Sequence, residues 1–147
     1  MLSQRTRYTI RALLHLADRY GEGPVQLGEI AQAQNIPPKF LTVMLSTMIK
    51  EGLVASRRGR DGGYWLARPP GEISYGSIVR LTRGSLALLP CASRRRHEVC
   101  RNCVSEDTCR LHRVMLMVRD ETARILDGLS LAEAIPEDAF SLEQDPE

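Results

Sequence analysis

Cys91, Cys100, Cys103 and Cys109 are the only cysteines in the chain, and all lie within PCASRRRHEVCRNCVSEDTCRLH, Pro90 to His112. Their spacing, C-x8-C-x2-C-x5-C, lets a single loop wrap one metal site. Thiolates are soft ligands that select iron-sulfur clusters, zinc or copper. The C-x2-C pair strengthens this reading. Spacing alone does not separate zinc from iron, although structural zinc sites usually pair two short-spaced cysteine turns and this loop has one. Arg94, Arg95, Arg96, Arg101 and Arg110 surround the thiols. Their charge is expected to lower the thiol pKa values and offset a thiolate-ligated centre. His97 reads as loop filler.

The loop must be held by the elements on either side. Gln4 to Tyr20 places Tyr8, Ile10, Leu13, Leu14, Leu16, Ala17 and Tyr20 at helical spacing before Gly21-Glu22-Gly23-Pro24 ends the pattern. His15 within it reads as a surface or packing residue. Two short amphipathic helices follow, Leu27 to Gln34 and Pro38 to Lys50. They are joined by Asn35-Ile36-Pro37, where Asn35 suits a left-handed turn and the prolines a helix start. Leu53 to Arg58 and Tyr64 to Ala67 read as a hairpin, with Asp61-Gly62 supplying the positive φ of its turn. Pro69-Pro70-Gly71 marks a boundary, and Ser74 caps a short helix to Thr82. From Thr108 to about Asp127 the chain is helical again. Leu111, Met115, Val118, Thr122, Ile125 and Leu129 then recur with coiled-coil spacing, the pattern of a dimer seam.

The chain has 147 residues, 43% of them hydrophobic and 26% charged, with a mean hydropathy of -0.23. These values describe one globular domain, or one domain plus an appended element, and argue against both a disordered and a membrane-inserted chain. No leader and no apolar run of spanning length is evident, so a cytoplasmic protein is expected. Cytosolic thiols are kept reduced, and a tight cysteine cluster there more often binds metal or senses redox state than forms disulfides. Residues 1–70 carry ten Lys or Arg against five Asp or Glu, whereas the remainder carries ten against thirteen. A basic front half suits a polyanion partner.

A helix-turn-helix followed by a basic hairpin has a specific use on DNA. The second helix enters the major groove, and the hairpin tip reaches the adjacent minor groove. The candidate contacts are Pro38, Lys39, Thr42 and Ser46 on the helix, with Arg57, Arg58 and Arg60 on the wing. Lys39 suits guanine O6 and N7, Thr42 a base or phosphate, and a wing arginine a narrow groove. Pairing two such weakly basic units on two half-sites strengthens binding, a further reason to read the C-terminal seam as a dimer contact. Three scattered histidines, with no nucleophile elbow and no phosphate loop, leave no constellation for catalysis.

Several stretches together resemble the IscR, NsrR and RirA group of bacterial iron-sulfur transcription regulators, the Rrf family, type two. They are Arg7-Tyr8, Leu27-Gly28-Glu29-Ile30-Ala31, Ile36-Pro37-Pro38-Lys39-Phe40-Leu41 and Arg58-Gly59-Arg60-Asp61-Gly62-Gly63-Tyr64-Trp65-Leu66-Ala67. The resemblance runs from about Gln4 to Leu131. It implies a homodimeric winged-helix repressor or activator of double-stranded operator DNA, responsive to an iron-sulfur cluster. Such proteins use three cysteines and a variable fourth ligand. His112, three residues after Cys109, matches the IscR-like histidine, whereas Arg7 stands near the position of the NsrR-like aspartate. The Cys103 to Cys109 gap fits the family; Cys91 lies further away, and Cys100 is additional.

The expectation is a mainly α fold, a winged helix-turn-helix with a two-stranded β wing and a long C-terminal dimerisation helix. Residues 1-84 form the DNA-binding domain, 85-110 the cluster loop, 111-135 the dimerisation helix and C-terminal segment, and 136-147 an acidic tail. The expected metal ligands are Cys91, Cys100, Cys103 and Cys109 on a [4Fe-4S] cluster; the alternative is a [2Fe-2S] centre using His112. Leu111, Met115, Val118, Thr122 and Ile125 are expected at the dimer interface. The competing functions are a zinc-stabilised or thiol-redox winged-helix regulator and, from another class, a small iron-sulfur electron-transfer protein.

Overall fold

Ser3 begins the first helix by accepting the Thr6 amide on its hydroxyl at 3.1 Å, which satisfies one of the orphan N–H groups of the opening turn. The computed structural model describes residues 2–134; the predicted acidic tail, 136-147, lies outside them. Helix α1 (Gln4–Asp18) is followed by α2 (Leu27–Gln34) and α3 (Pro38–Lys50). The wing strands β1 (Val54–Arg57) and β2 (Gly63–Leu66) come next, then α4 (Tyr75–Arg83) and α5 (Arg110–Gly128). Short 3-10 turns at Pro70–Glu72 and Pro90–Ala92 precede α4 and the cysteine loop.

The turn between α2 and α3 forms as its residues dictate. Asn35 closes α2 in the left-handed conformation (φ 49°, ψ 52°), Ile36 buries its side chain, and Pro38 occupies the first turn of α3. On α3 the residues Leu41, Met44, Leu45 and Met48 face inward. They meet Leu13 and Leu16 of α1, Ile30 of α2, Val54 and Leu66 of the wing, and Ile73 and Ile78 around α4 in one apolar core. Helix α4 therefore belongs to the DNA-reading unit. Its Thr82 hydroxyl hydrogen-bonds the hydroxyl of Thr6, a fully buried residue of α1, at 2.9 Å.

The wing departs from the predicted hairpin in its turn. The strands pair antiparallel, with Val54 opposite Leu66 and Arg57 opposite Gly63, leaving residues 58–62 as a five-residue loop. Positive φ falls at Gly59 (107°) and Gly63 (143°), not at Gly62. Gly62 is needed for another reason: a Cβ there would lie 2.8 Å from the carbonyl carbons of both Arg57 and Arg58. Val25 adds a bridge to β2, exchanging two backbone hydrogen bonds of 2.8 Å with Tyr64. This pairing ties the wing to the segment before α2, and the Gln26 side chain adds a 2.9 Å bond to the Arg60 carbonyl.

Helix α5 runs for 19 residues, none of them buried. It starts at Arg110, two residues later than predicted, because the Cys109 sulfur caps it by accepting the His112 amide at 3.3 Å. Its far end is tied to α4. Arg80 donates to both Asp127 oxygens at 2.5 and 2.7 Å, which lowers the Asp127 pKa and raises that of Arg80. The chain then returns to the core, where the Leu131 amide meets the Ile73 carbonyl at 2.9 Å and the Leu131 side chain is buried.

Candidate metal centre and nucleic-acid interface

The cysteine loop folds against the start of α5 through a few local devices. Pro90–Ala92 makes a 3-10 turn that buries Cys91, and Arg119 of α5 secures it with a 2.8 Å bond to the Ala92 carbonyl. Cys100 and Cys103 share a tight turn closed by a 3.0 Å bond from the Cys103 amide to the Cys100 carbonyl. Asn102, inside that turn, adopts positive φ (61°). All four predicted thiols line one cavity of about 380 Å³, together with Glu106, His112 and the apolar Leu89, Val104 and Leu111. The sulfurs of Cys91 and Cys100 are 3.4 Å apart.

The donor set extends beyond sulfur. One ligand atom each from Cys91, Glu106 and His112 lies within 4.8 Å of the other two. Glu106 Oε1 and His112 Nδ1 are both buried without a hydrogen-bond partner among the described residues. Each such orphan costs about 1–3 kcal/mol unless something occupies the space it faces. Sequence reasoning singled out His112 but missed Glu106, and it set aside His97, whose Nε2 holds Glu106 Oε2 at 3.0 Å. A chain of thiols, imidazole and carboxylate around a partly apolar hollow fits a bound transition-metal centre.

At Cys91 and Cys103 the expected lowering of the thiol pKa is reversed. Burial, reinforced by the hydrogen bond and charge of Cys100, pushes the Cys91 thiol up to about 11. Cys103 is also raised, first by burial and then by Cys100 and Cys109. Of the five arginines only Arg101 lines the cavity. Arg94 reaches Asp120 instead, at 3.1 Å, and the Arg96 guanidinium lies beside Gly84. Cys91 and Cys103 therefore hold their protons more tightly than free thiols do, and a metal must displace them.

The pH dependence has a definite sign. The native state keeps the Cys91 proton more tightly than the unfolded chain. This stabilisation of the metal-free fold is complete below about pH 9 and is lost as pH rises through about 11. Metal uptake should run the opposite way, with affinity rising between pH 6 and 9 by up to about tenfold per pH unit for each thiol ionised. Chelator-competition titrations at several pH values would read this rise, with proton release measured in weakly buffered solution.

On the DNA-reading side, Pro38, Lys39, Thr42 and Ser46 are all exposed along α3, and Arg57, Arg58 and Arg60 are exposed on the wing. They are not equally free. Thr42 already donates its hydroxyl to the Pro38 carbonyl at 3.0 Å, leaving it an acceptor and a methyl group for a base edge. Arg57 spends a guanidinium donor on the Asp61 carbonyl at 2.9 Å, which shapes the wing loop. No ion pair engages Arg58, Arg60 or Lys39 among the described residues. Arg58→Ala and Arg60→Ala are each expected to flatten the slope of log affinity against log salt by about 0.9 per lost phosphate contact. Fluorescence anisotropy on operator DNA across a salt series would measure it.

The predicted seam of α5 is divided by the structure. Met115, Val118 and Thr122 are half-buried against their own chain, whereas Leu111 and Ile125 are exposed. Val114 and Met117, outside the predicted heptad, add to that exposed apolar face, with Met117 70% exposed. No described helix is long and apolar enough to cross a membrane.

The profile of the Rrf2 family, described as iron-dependent transcriptional regulators, matches residues 2–137. An rrf2-like HTH-type transcriptional regulator of Rhodobacter capsulatus is 36% identical over 138 residues, 92% of each chain. CymR, the global cysteine regulator of B. subtilis, superposes with a TM-score of 0.70 at 31% identity, covering 89% of this chain and 92% of its own. The IscR of T. potens does so with a TM-score of 0.67 at 31% identity, covering 90% and 83%. The helix pair, wing and long terminal helix thus have a common explanation: the chain belongs to the Rrf2 family, winged-helix transcriptional regulators that bind DNA and are not enzymes.

Proposed function

We propose that this regulator acts as a homodimer whose operator affinity is set by an iron-sulfur cluster on Cys91, Cys100, Cys103 and Cys109, sensing iron, redox or nitric oxide status. The observation that carries the reading is the convergence of four thiols and two unpartnered polar atoms on one hollow at the start of α5. Similarity to the T. potens IscR adds support. A [4Fe-4S] cluster suits four thiolates, and a [2Fe-2S] centre with His112 suits three. When bound, such a centre supplies chemistry that responds to iron, oxidants and nitric oxide.

The chain's own residues transmit occupancy. With its sulfurs engaged, the loop from Cys91 to Cys109 is ordered and fixes how α5 meets the winged unit, hence the spacing of two recognition helices in the dimer. Released, about twenty residues regain conformational freedom that favours another arrangement. A coupling of about 1–3 kcal/mol would change operator affinity roughly 5 to 150 fold. Cysteine-to-alanine variants purified without air should lose visible cluster absorption and shift operator affinity by that factor. Equal affinity in cluster-bound and alanine forms would disprove the coupling.

A cluster-free thiol regulator is the second reading. It is favoured by the 3.4 Å approach of the Cys91 and Cys100 sulfurs and by the likeness to CymR. Colourless protein from anaerobic purification, with an operator affinity that follows thiol oxidation, would select it.

A further inference from the structure

The four thiols do not meet as closely as the mixed donors beside them. Among the described residues, Cys91, Glu106 and His112 form the only trio of potential ligand atoms lying within 4.8 Å of one another. No three of the thiols do so. We propose that Cys91, Glu106 and His112 constitute a site for a single zinc-class divalent ion, sharing Cys91 with the four-thiolate cluster site and competing with a cluster for that sulfur.

The chemistry of the three donors suits that ion. Zinc takes sulfur at about 2.3 Å and imidazole nitrogen or carboxylate oxygen at about 2.0–2.2 Å, so tetrahedral ligands sit roughly 3.5 Å apart. Lying within 4.8 Å of one another, the three atoms need close by no more than about 1.3 Å to reach that spacing. Among the described residues, Glu106 Oε1 and His112 Nδ1 are the two buried side-chain polar atoms without a hydrogen-bond partner. Their common position in one hollow is explained if an ion lies between them. His97 acts from behind, since its 3.0 Å bond to Glu106 Oε2 orients the carboxylate and leaves Oε1 for metal, the usual second-shell arrangement. Charge also balances. One thiolate and one carboxylate neutralise a dication, in a cavity where Arg101 is the one cationic side chain on the wall. Binding sends the Cys91 proton to solvent, and water completes the fourth position.

The competition part of this inference rests on the cluster reading above; the site itself does not. The test uses the full chain, made cluster-free without air and titrated with zinc against a chromogenic chelator. Glu106→Gln and His112→Gln should each weaken zinc binding tenfold or more, whereas Cys103→Ser should leave it within about threefold of the parent. Cobalt on the unaltered chain gives a readout independent of variant folding. Tetrahedral cobalt with one thiolate should show about a quarter of the sulfur charge-transfer absorption per metal of a four-thiolate site. No zinc binding, indifference to Glu106→Gln and His112→Gln, or a four-thiolate cobalt spectrum would each overturn the site. Zinc-loaded protein offered iron and sulfide should stay colourless; a cluster formed with zinc retained would overturn the competition. A parent that binds zinc as described yet never takes a cluster confirms the site and removes only the cluster reading.

Discussion

A chain carrying Val114→Asp and Met117→Asp should sediment as a single copy under conditions where the parent sediments as a pair. Helix α5 has 19 residues and buries none of them within its own chain. Leu111 (58% exposed), Val114 (50%), Met117 (70%) and Ile125 (50%) leave an apolar face open. Covering such a half-exposed side chain contributes about 1 kcal/mol, and a twofold contact counts each position in both copies. Two substitutions thus remove about 4 kcal/mol, roughly a thousandfold in the dimer dissociation constant, before the cost of burying the new charges. The single copy should be almost unaffected, since exposed substitutions usually change stability by no more than about 0.5 kcal/mol. Sedimentation velocity and thermal melts read the two quantities separately. An unchanged sedimentation coefficient would place the dimer contact elsewhere.

The second large effect is expected at Gly63. Its φ of 143° is one that L side chains rarely adopt, and an added Cβ would lie 2.7 Å from the Val25 carbonyl carbon and 3.1 Å from the Gln26 nitrogen. These are backbone atoms, so no flexible side chain can yield. Gly63→Ala carries about 1–3 kcal/mol of backbone strain. It also endangers the paired Val25–Tyr64 hydrogen bonds, each contributing about 0.5–1.5 kcal/mol. The loss should appear as a lower denaturation midpoint. Because β2 carries one arm of the wing, operator affinity should fall even where the protein remains folded. Gly59→Ala is a useful contrast: its φ is also positive, but a Cβ there meets nothing within 4 Å.

These two sites show what local sequence could and could not foretell. The bounds of α2 and α3 were legible because Asn35, Pro37 and Pro38 act on their immediate neighbours. The wing strands were legible too, but not their turn: the demand on Gly63 comes from Val25, far back in the chain, and no pattern within the hairpin reveals it. The thiols announced themselves by spacing, whereas Glu106 looked like any loop carboxylate until folding buried one of its oxygens. Arginines crowding the cysteines in sequence promised lowered thiol pKa values. At Cys91 and Cys103 burial prevailed instead, because most of those side chains turn outward once the loop closes. On α5 the heptad marked an apolar surface, but its own domain covers one flank, which moves the open face toward Val114 and Met117.

The Cys109 sulfur stands in the cavity wall and also at the threshold of α5, where it accepts the His112 amide. A 19-residue helix is about 28 Å long, so it can serve as a lever arm with its pivot at that sulfur. A tilt of about 5° there would swing the opposite end by roughly 2 Å. That end is clasped to α4 by the forked Arg80–Asp127 pair, so a displacement too small to notice at the fulcrum would arrive amplified at the DNA-reading unit.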